Sequence, residues 1–211
     1  MNSPPAALDA SSIDALLFDI GRVVLDIDFT RVLQVWSDHS GRMPDDIIAR
    51  FSRGDVYMRH ERGEISDDAF FAHLRDTLDI DLTPAQFLDG WNAIFVGEMP
   101  GIAELLPRAA RRWPLYAFSN TNPAHVTHFS ARHAELLGHF RDIFLSSSIG
   151  MRKPDAESFD HVVAEIGVPA GRILFFDDLI DNIDGARACG LQTVHVTSPN
   201  TVADTLKALG I

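Results

Sequence analysis

The sequence predicts an α/β protein, a Rossmann-like parallel sheet with helices on both faces plus an inserted all-helical segment. Three observations predict it. Four short runs rich in apolar residues, Ala15–Phe18, Leu115–Phe118, Ile173–Phe176 and Leu191–Val196, are bounded by polar residues, Gly or Pro, as suits buried parallel strands. Helical periodicity alternates with the later runs, which implies parallel strands joined by crossover helices. Residues 30–98 show helical patterns and no clear strand.

In chain order, residues 1–12 read as a flexible leader rich in Pro, Ala and Ser. The first strand, 15–18, ends at Asp19. Phe29, Val32, Leu33 and Trp36 then share one helical face. Pro44 can open a second helix, with Ile47, Ile48 and Phe51 facing inward. Ser66 followed by Asp67 and Asp68 signals the start of a third, with Phe70, Leu74 and Leu78 apolar. Thr83 and Gln86 form a capping box, with Pro84 at the first helical position and Leu82 placed to staple onto Phe87. Phe87, Leu88, Trp91, Ile94 and Phe95 give that helix a wide apolar face. Pro107 predicts a kink or split in the helical stretch 101–112. Ile143–Leu145 is a weaker strand signal. Phe159, Val162, Val163 and Ile166 follow helical spacing, and Gly167 stands where a C-cap belongs. The domains that follow are an α/β core, 1–29 with 99–211, and a helical cap, 30–98.

Composition narrows the function classes. The 211 residues are 46% hydrophobic and 23% charged, ordinary for a globular chain. A formal net charge of −12 argues against a nucleic-acid partner. No apolar run is long enough to span a membrane, and the first residues do not read as a signal peptide. The single Cys189 has no intramolecular partner, which fits a reducing cytoplasm. An anionic substrate would need a cation and local positive groups. The sequence does not set the oligomeric state.

Ligands of open parallel sheets bind at the carboxyl ends of the strands. Asp19 follows the first apolar run, Ser119-Asn120 the second, and Asp177-Asp178 the third, with Asp181 shortly after. Arg152-Lys153-Pro154 lies between the second and third. These residue types suit phosphoryl transfer. A carboxylate can attack phosphorus and divide one hard step into two. Carboxylates from two strands can hold Mg2+, a hard cation. A hydroxyl, an amide and an ammonium can bind phosphoryl oxygens. Asp26 and Asp28 read as part of the loop into the cap or as a cap of the next helix. His125, His128 and His133 read as an exposed helical face.

LLFDIGRVVLDIDF (16–29), FSN (118–120), GMRKPD (150–155) and FFDDLIDNIDGA (175–186) resemble, in order, the four motifs of the haloacid dehalogenase superfamily. The resemblance runs from about residue 13 onward, includes HERGEIS (60–66), and is nearest the bacterial α-D-glucose-1-phosphate phosphatase branch. It implies a Mg2+-dependent phosphatase acting on a small phosphorylated metabolite, a sugar phosphate such as glucose-1-phosphate. Asp19 would be the nucleophile and a metal ligand, and the Gly21 carbonyl a second ligand. Ser119 and Asn120 would bind the phosphoryl group, and Lys153 would contact phosphate and nucleophile. Asp177 would bind the metal, with Asp178 or Asp181 acting directly or through water. Most phosphatases of the superfamily carry an acid/base Asp where this chain has Gly21. Water or a cap group such as His60 would supply the proton, or the leaving group would need little help; Arg59 and Arg62 could also touch substrate. Three alternatives compete. They are a metal-free 2-haloacid dehalogenase, a phospho-receiver domain and a non-catalytic sugar-phosphate binder.

Overall fold

The computed structural model describes residues 9–211; the predicted leader lies largely outside them. The strands are β1 (Ala15–Phe18), β2 (Leu25–Ile27), β3 (Phe95–Glu98), β4 (Leu115–Ser119), β5 (Asp142–Leu145), β6 (Ile173–Asp177) and β7 (Gln192–His195). The cap helices are α1 (Phe29–Ser40), α2 (Pro44–Ile48), α3 (Asp55–Glu61), α4 (Asp67–Leu78) and α5 (Pro84–Asn92). The core helices are α6 (Ile102–Ala110), α7 (Pro123–Arg132), α8 (Ala134–Leu137), α9 (Ser146–Ile149), α10 (Ala156–Ile166), α11 (Ile180–Ala188) and α12 (Thr201–Ala208).

Five strands form one parallel sheet in the order β5-β4-β1-β6-β7. The chain builds outward from β1 on one side, then crosses back to build outward on the other. The crevice at such a reversal is where ligands of open α/β sheets bind. Alternation along the strands sends side chains to two separate cores. Leu16, Phe18, Leu174 and Phe176 pack with Ile102 and Leu106 of α6 and Leu206 of α12. Ala15, Leu17, Ile173 and Phe175 pack with Phe159 and Val162 of α10 and Ile183 of α11. The helices therefore cover both faces, as the apolar runs predict.

The cap has its own core around Trp36, Phe70, Phe87 and Trp91. Trp36 and Trp91 stack at 6.0 Å. Gly90 is required there, because a Cβ would lie 2.2 Å from Trp36 Cδ1. The predicted capping box at Thr83 and Gln86 is present, and Ser66 caps α4 through Ala69 N–H.

Four local expectations are corrected. Residues 95–98 form β3, paired antiparallel to β2, so the segment 30–98 is not all helical. Helix α5 stops at Asn92, which puts Ile94 and Phe95 beyond its apolar face, and Leu88 is exposed. Helix α2 ends at Ile48, which is itself exposed, and Phe51 lies past it. Pro107 does not split α6. Ala103, whose carbonyl loses its helical partner to the proline, is on the exposed face and open to water. Helix α3 had no clear sequence signal, being short and mostly polar.

Candidate active site

The register of the sheet brings the candidate residues to one edge. Phe18 is level with Ala117 and with Phe176, so β1, β4 and β6 end together. Asp19 stays in the ladder by one more bond, its N–H donating to Phe176 O at 2.8 Å. Ser119 and Asp177 are the last residues of their strands, and both are buried.

Lys153 arrives on the loop between α9 and α10. Asn120 grips that loop at both backbone groups. Its Oδ1 accepts from Lys153 N–H at 2.9 Å and its Nδ2 donates to Lys153 O at 2.8 Å. The Asn120 amide, expected on the phosphoryl group, is thus engaged in holding the lysine. All three hydrogens of the Lys153 ammonium are used. Nζ donates to Asp19 Oδ1 at 2.7 Å, to Asp177 Oδ2 at 2.7 Å and to Phe118 O at 2.8 Å. Lys153 is only 1% exposed. Burial opposes its charge, but Asp177 and Asp19 overcome it and hold the ammonium above the usual lysine range.

Asp177 is 0% exposed and over-determined. Its Oδ1 accepts from Leu179 N–H at 2.8 Å, and Asn182 Nδ2 lies 3.0 Å from both carboxylate oxygens. Sequence reasoning missed Asn182. Its signal was an amide one residue past Asp181, on the first turn of the helix after the acidic pair. Burial pushes the Asp19 carboxyl up to about 7, with Lys153 opposing and Asp177 adding to the rise. Burial and the nearby Asp177 also raise Asp178, against Arg22 and Lys153.

Asp19, Asp177 and Asp178 each bring a carboxylate oxygen within 4.8 Å of the others. Asp19 and Asp177 share one buried ammonium, and Asp178 faces the exposed Arg22 at 4.0 Å, so the three carboxylates form a cluster that a hard divalent cation would balance. Of the two residues expected to act with Asp177, directly or through water, Asp178 joins the converging carboxylates, and Asp181 is exposed on the first turn of α11, outside that group. That turn directs its neighbour Asn182 inward instead. Gly21 lies in the loop beside Asp19, where a Cβ would come 3.0 Å from Ile27 Cδ1 and 3.8 Å from Asp19 Oδ2.

A cavity of about 430 Å³ opens over this edge. The core contributes Asp19, Ser119, Lys153 and Asp178; the cap roofs it with Arg53, Tyr57, Met58 and Glu61. Burial, together with Glu61, raises the Tyr57 hydroxyl and keeps it protonated. The cap residues expected at the substrate are different ones. His60 is 1% exposed, stacked on Phe70 at 4.1 Å, and its Nε2 lies 2.7 Å from Asp67 Oδ1, within the cap. Arg59 and Arg62 both pair with Glu64. His125 is likewise not on an exposed face. It stacks on Trp91 at 4.9 Å, lies 3.0 Å from Trp91 O through Nε2, and burial pushes its pKa down to about 3. Asp28 caps α1, accepting from Thr30 N–H at 2.9 Å, and Asp26 belongs to β2.

The haloacid dehalogenase-like hydrolase family model matches residues 13–190. The chain belongs to this family. A D-ribitol-5-phosphate phosphatase of Bacteroides thetaiotaomicron is 26% identical to this hydrolase over 186 residues, covering 86% of this chain and 90% of the relative. A crystal structure of a haloacid dehalogenase family enzyme from the same organism, in complex with magnesium and inorganic phosphate, superposes with a TM-score of 0.76 at 24% identity. It covers 87% of this chain and 93% of that one. L-2-haloacid dehalogenase from Xanthobacter autotrophicus superposes with a TM-score of 0.66 at 20% identity, over 92% of this chain and 82% of that one. Both structural likenesses establish the fold. Among the described residues, no helix is long and apolar enough to cross a membrane.

Proposed function

We propose that this hydrolase is a Mg2+-dependent phosphatase that releases phosphate from a small sugar or sugar-alcohol phosphate, glucose-1-phosphate among them, through a phospho-aspartate on Asp19. One observation carries the reading: Lys153 Nζ sits 2.7 Å from both Asp19 and Asp177 at the floor of a cavity of metabolite size. The ribitol-5-phosphate phosphatase and the magnesium and phosphate complex of the relatives support the same reading.

The donor set fits Mg2+. Asp19, Asp177 and Asp178 would hold it, with the Gly21 carbonyl as a further oxygen. When bound, the ion supplies charge neutralisation at the phosphoryl oxygens. The chain's own residues do the rest. Asp19 attacks phosphorus and forms a P–O bond as the bond to the leaving oxygen breaks. Lys153 and the Ser119 hydroxyl meet the phosphoryl oxygens. Water then adds to phosphorus, releasing phosphate and restoring the carboxylate. The leaving oxygen takes its proton from water, since position 21 carries no side chain and His60 is engaged inside the cap. A general acid is typically worth about 10²–10⁴-fold. Its absence favours leaving groups of low pKa, and an anomeric hydroxyl is more acidic than an ordinary alcohol.

The acidic cluster favours this reading over a metal-free dehalogenase, which has no use for three converging carboxylates. A phosphomonoester panel with Mg2+, followed by phosphate release, tests it. The expected result is turnover that quickens as the leaving-group pKa falls. Halide release from 2-chloro acids without phosphate release would overturn the proposal, and so would binding of glucose-1-phosphate without turnover.

Proton and cation compete for Asp19, which gives a pH dependence. Mg2+ affinity is expected to fall by about tenfold per pH unit below about 7 and to level off above it. The sign for stability is opposite. The folded pKa of Asp19 is raised from 3.8, so its contribution without Mg2+ is present below that value and is lost as pH rises through about 7. Calorimetric titrations and melts from pH 5 to 8 measure both.

A further inference from the structure

We infer that Glu61 is a positioning residue that registers the cap on both phosphate-binding loops of the core, an inference resting on the phosphatase reading. Glu61 is the last residue of α3, and its side chain is 8% exposed. Its Oε2 accepts from Arg152 Nε at 3.0 Å and from Nη2 at 2.9 Å. Arg152 is the residue before Lys153. Glu61 also reaches the other loop through its backbone. Ser146 Oγ donates to Glu61 O at 2.6 Å while accepting from Thr121 N–H at 2.8 Å, two residues past Ser119. Ser146 is 0% exposed. One cap residue is therefore tied to the lysine loop by its carboxylate and to the 119–121 turn by its carbonyl.

The surrounding HERGEIS segment is built to hold Glu61 there. Gly63 has φ +69°, and a Cβ on it would lie 2.2 Å from Ser147 O. The cap backbone thus touches the core where no other residue fits. Arg59 and Arg62 are both held by Glu64, which leaves Arg152 as the partner of Glu61. His60 and Ser66 anchor the segment to α4. Placing an ion pair at this seam couples the seating of the cap to the position of the ammonium, because Asn120 already fixes Lys153 to the second loop. Small misplacements of such groups are costly, about 10²-fold for 1 Å.

The test uses the full chain carrying Glu61→Gln, which keeps the shape and removes the charge, and Arg152→Lys, which keeps the charge and removes the two-point contact. Melting curves check that each folds. The readouts are kcat and KM for glucose-1-phosphate and for phenyl phosphate, which has no sugar, and the Kd of inorganic phosphate with Mg2+. Positioning predicts that kcat falls by roughly tenfold to a hundredfold for both substrates, and that phosphate binding weakens in step. The charge-swapped pair Glu61→Arg with Arg152→Glu should recover part of the loss. A rise in KM confined to the sugar phosphate would make Glu61 a substrate contact and overturn the inference. Unchanged kinetics in both single variants would overturn it as well. If the wild type turned over neither substrate, the phosphatase reading would fail on its own. Phosphate affinity would then still decide the role of Glu61, unchanged binding in Glu61→Gln counting against it.

Discussion

Replacing Asp19 by Asn abolishes turnover, with an expected loss of at least about 10⁴-fold in kcat. The reason is chemical. An amide oxygen in place of the carboxylate cannot form the phospho-enzyme, and no second carboxylate is poised to replace it. Asp177 is fixed by Leu179 N–H, Asn182 and Lys153, all at 3.0 Å or less. The fold should survive, because Asn keeps an acceptor near Lys153 and removes a charge whose burial is unfavourable. Steady-state phosphate release, with circular dichroism as the check on folding, measures the result. Residual activity within about tenfold of wild type would place the nucleophile elsewhere.

Replacing Lys153 by Met has a double effect. The side chain is nearly isosteric, so packing between Phe118 and Phe175 changes little. Asp19 and Asp177, however, lose the only ammonium among the described residues that touches both. Breaking a buried ion pair by removing one partner costs about 3–5 kcal/mol. A loss of that size is expected in urea unfolding without Mg2+. Added Mg2+ should restore part of the stability, since the cation meets the same carboxylates. It should not restore catalysis, because the ammonium that contacts Asp19, and that we propose meets the phosphate, is gone. A variant that is as stable as wild type in the absence of Mg2+ would show that Lys153 is not the counter-charge.

The core and its site were legible because both follow from short-range rules. Buried parallel strands are written as uninterrupted apolar runs, and the residue after each run must emerge at the sheet edge. Asp19, Ser119 and Asp177 are legible in this way, whereas Lys153 follows no apolar run and is picked out only by the GMRKPD motif. What was not legible depends on which way a side chain turns. Asp181 and Asn182 are adjacent, and only the start of α11 decides that the amide faces Asp177. Asn120 carries the right groups for phosphate, but the backbone of a loop 33 residues away takes both of them. His60 is expected at the substrate and His125 on an exposed face, whereas the rings stack on Phe70 and Trp91. Strand β3 was hidden because Ile94 and Phe95 continue the helical spacing of α5, and only pairing with β2 selects the extended form.

The distribution of indoles has a practical consequence. The chain has three tryptophans, of which Trp36 and Trp91 lie face to face in the cap and Trp113 lies under the sheet, donating to Ile13 O at 3.0 Å. Trp91 also donates to Asn122 Oδ1 at 3.3 Å, across the boundary to α7. Two of the three indoles therefore report on the cap, and one of them is bonded to the core. A spectroscopist following their emission during a titration watches the lid seam, while far-ultraviolet signals follow the whole chain.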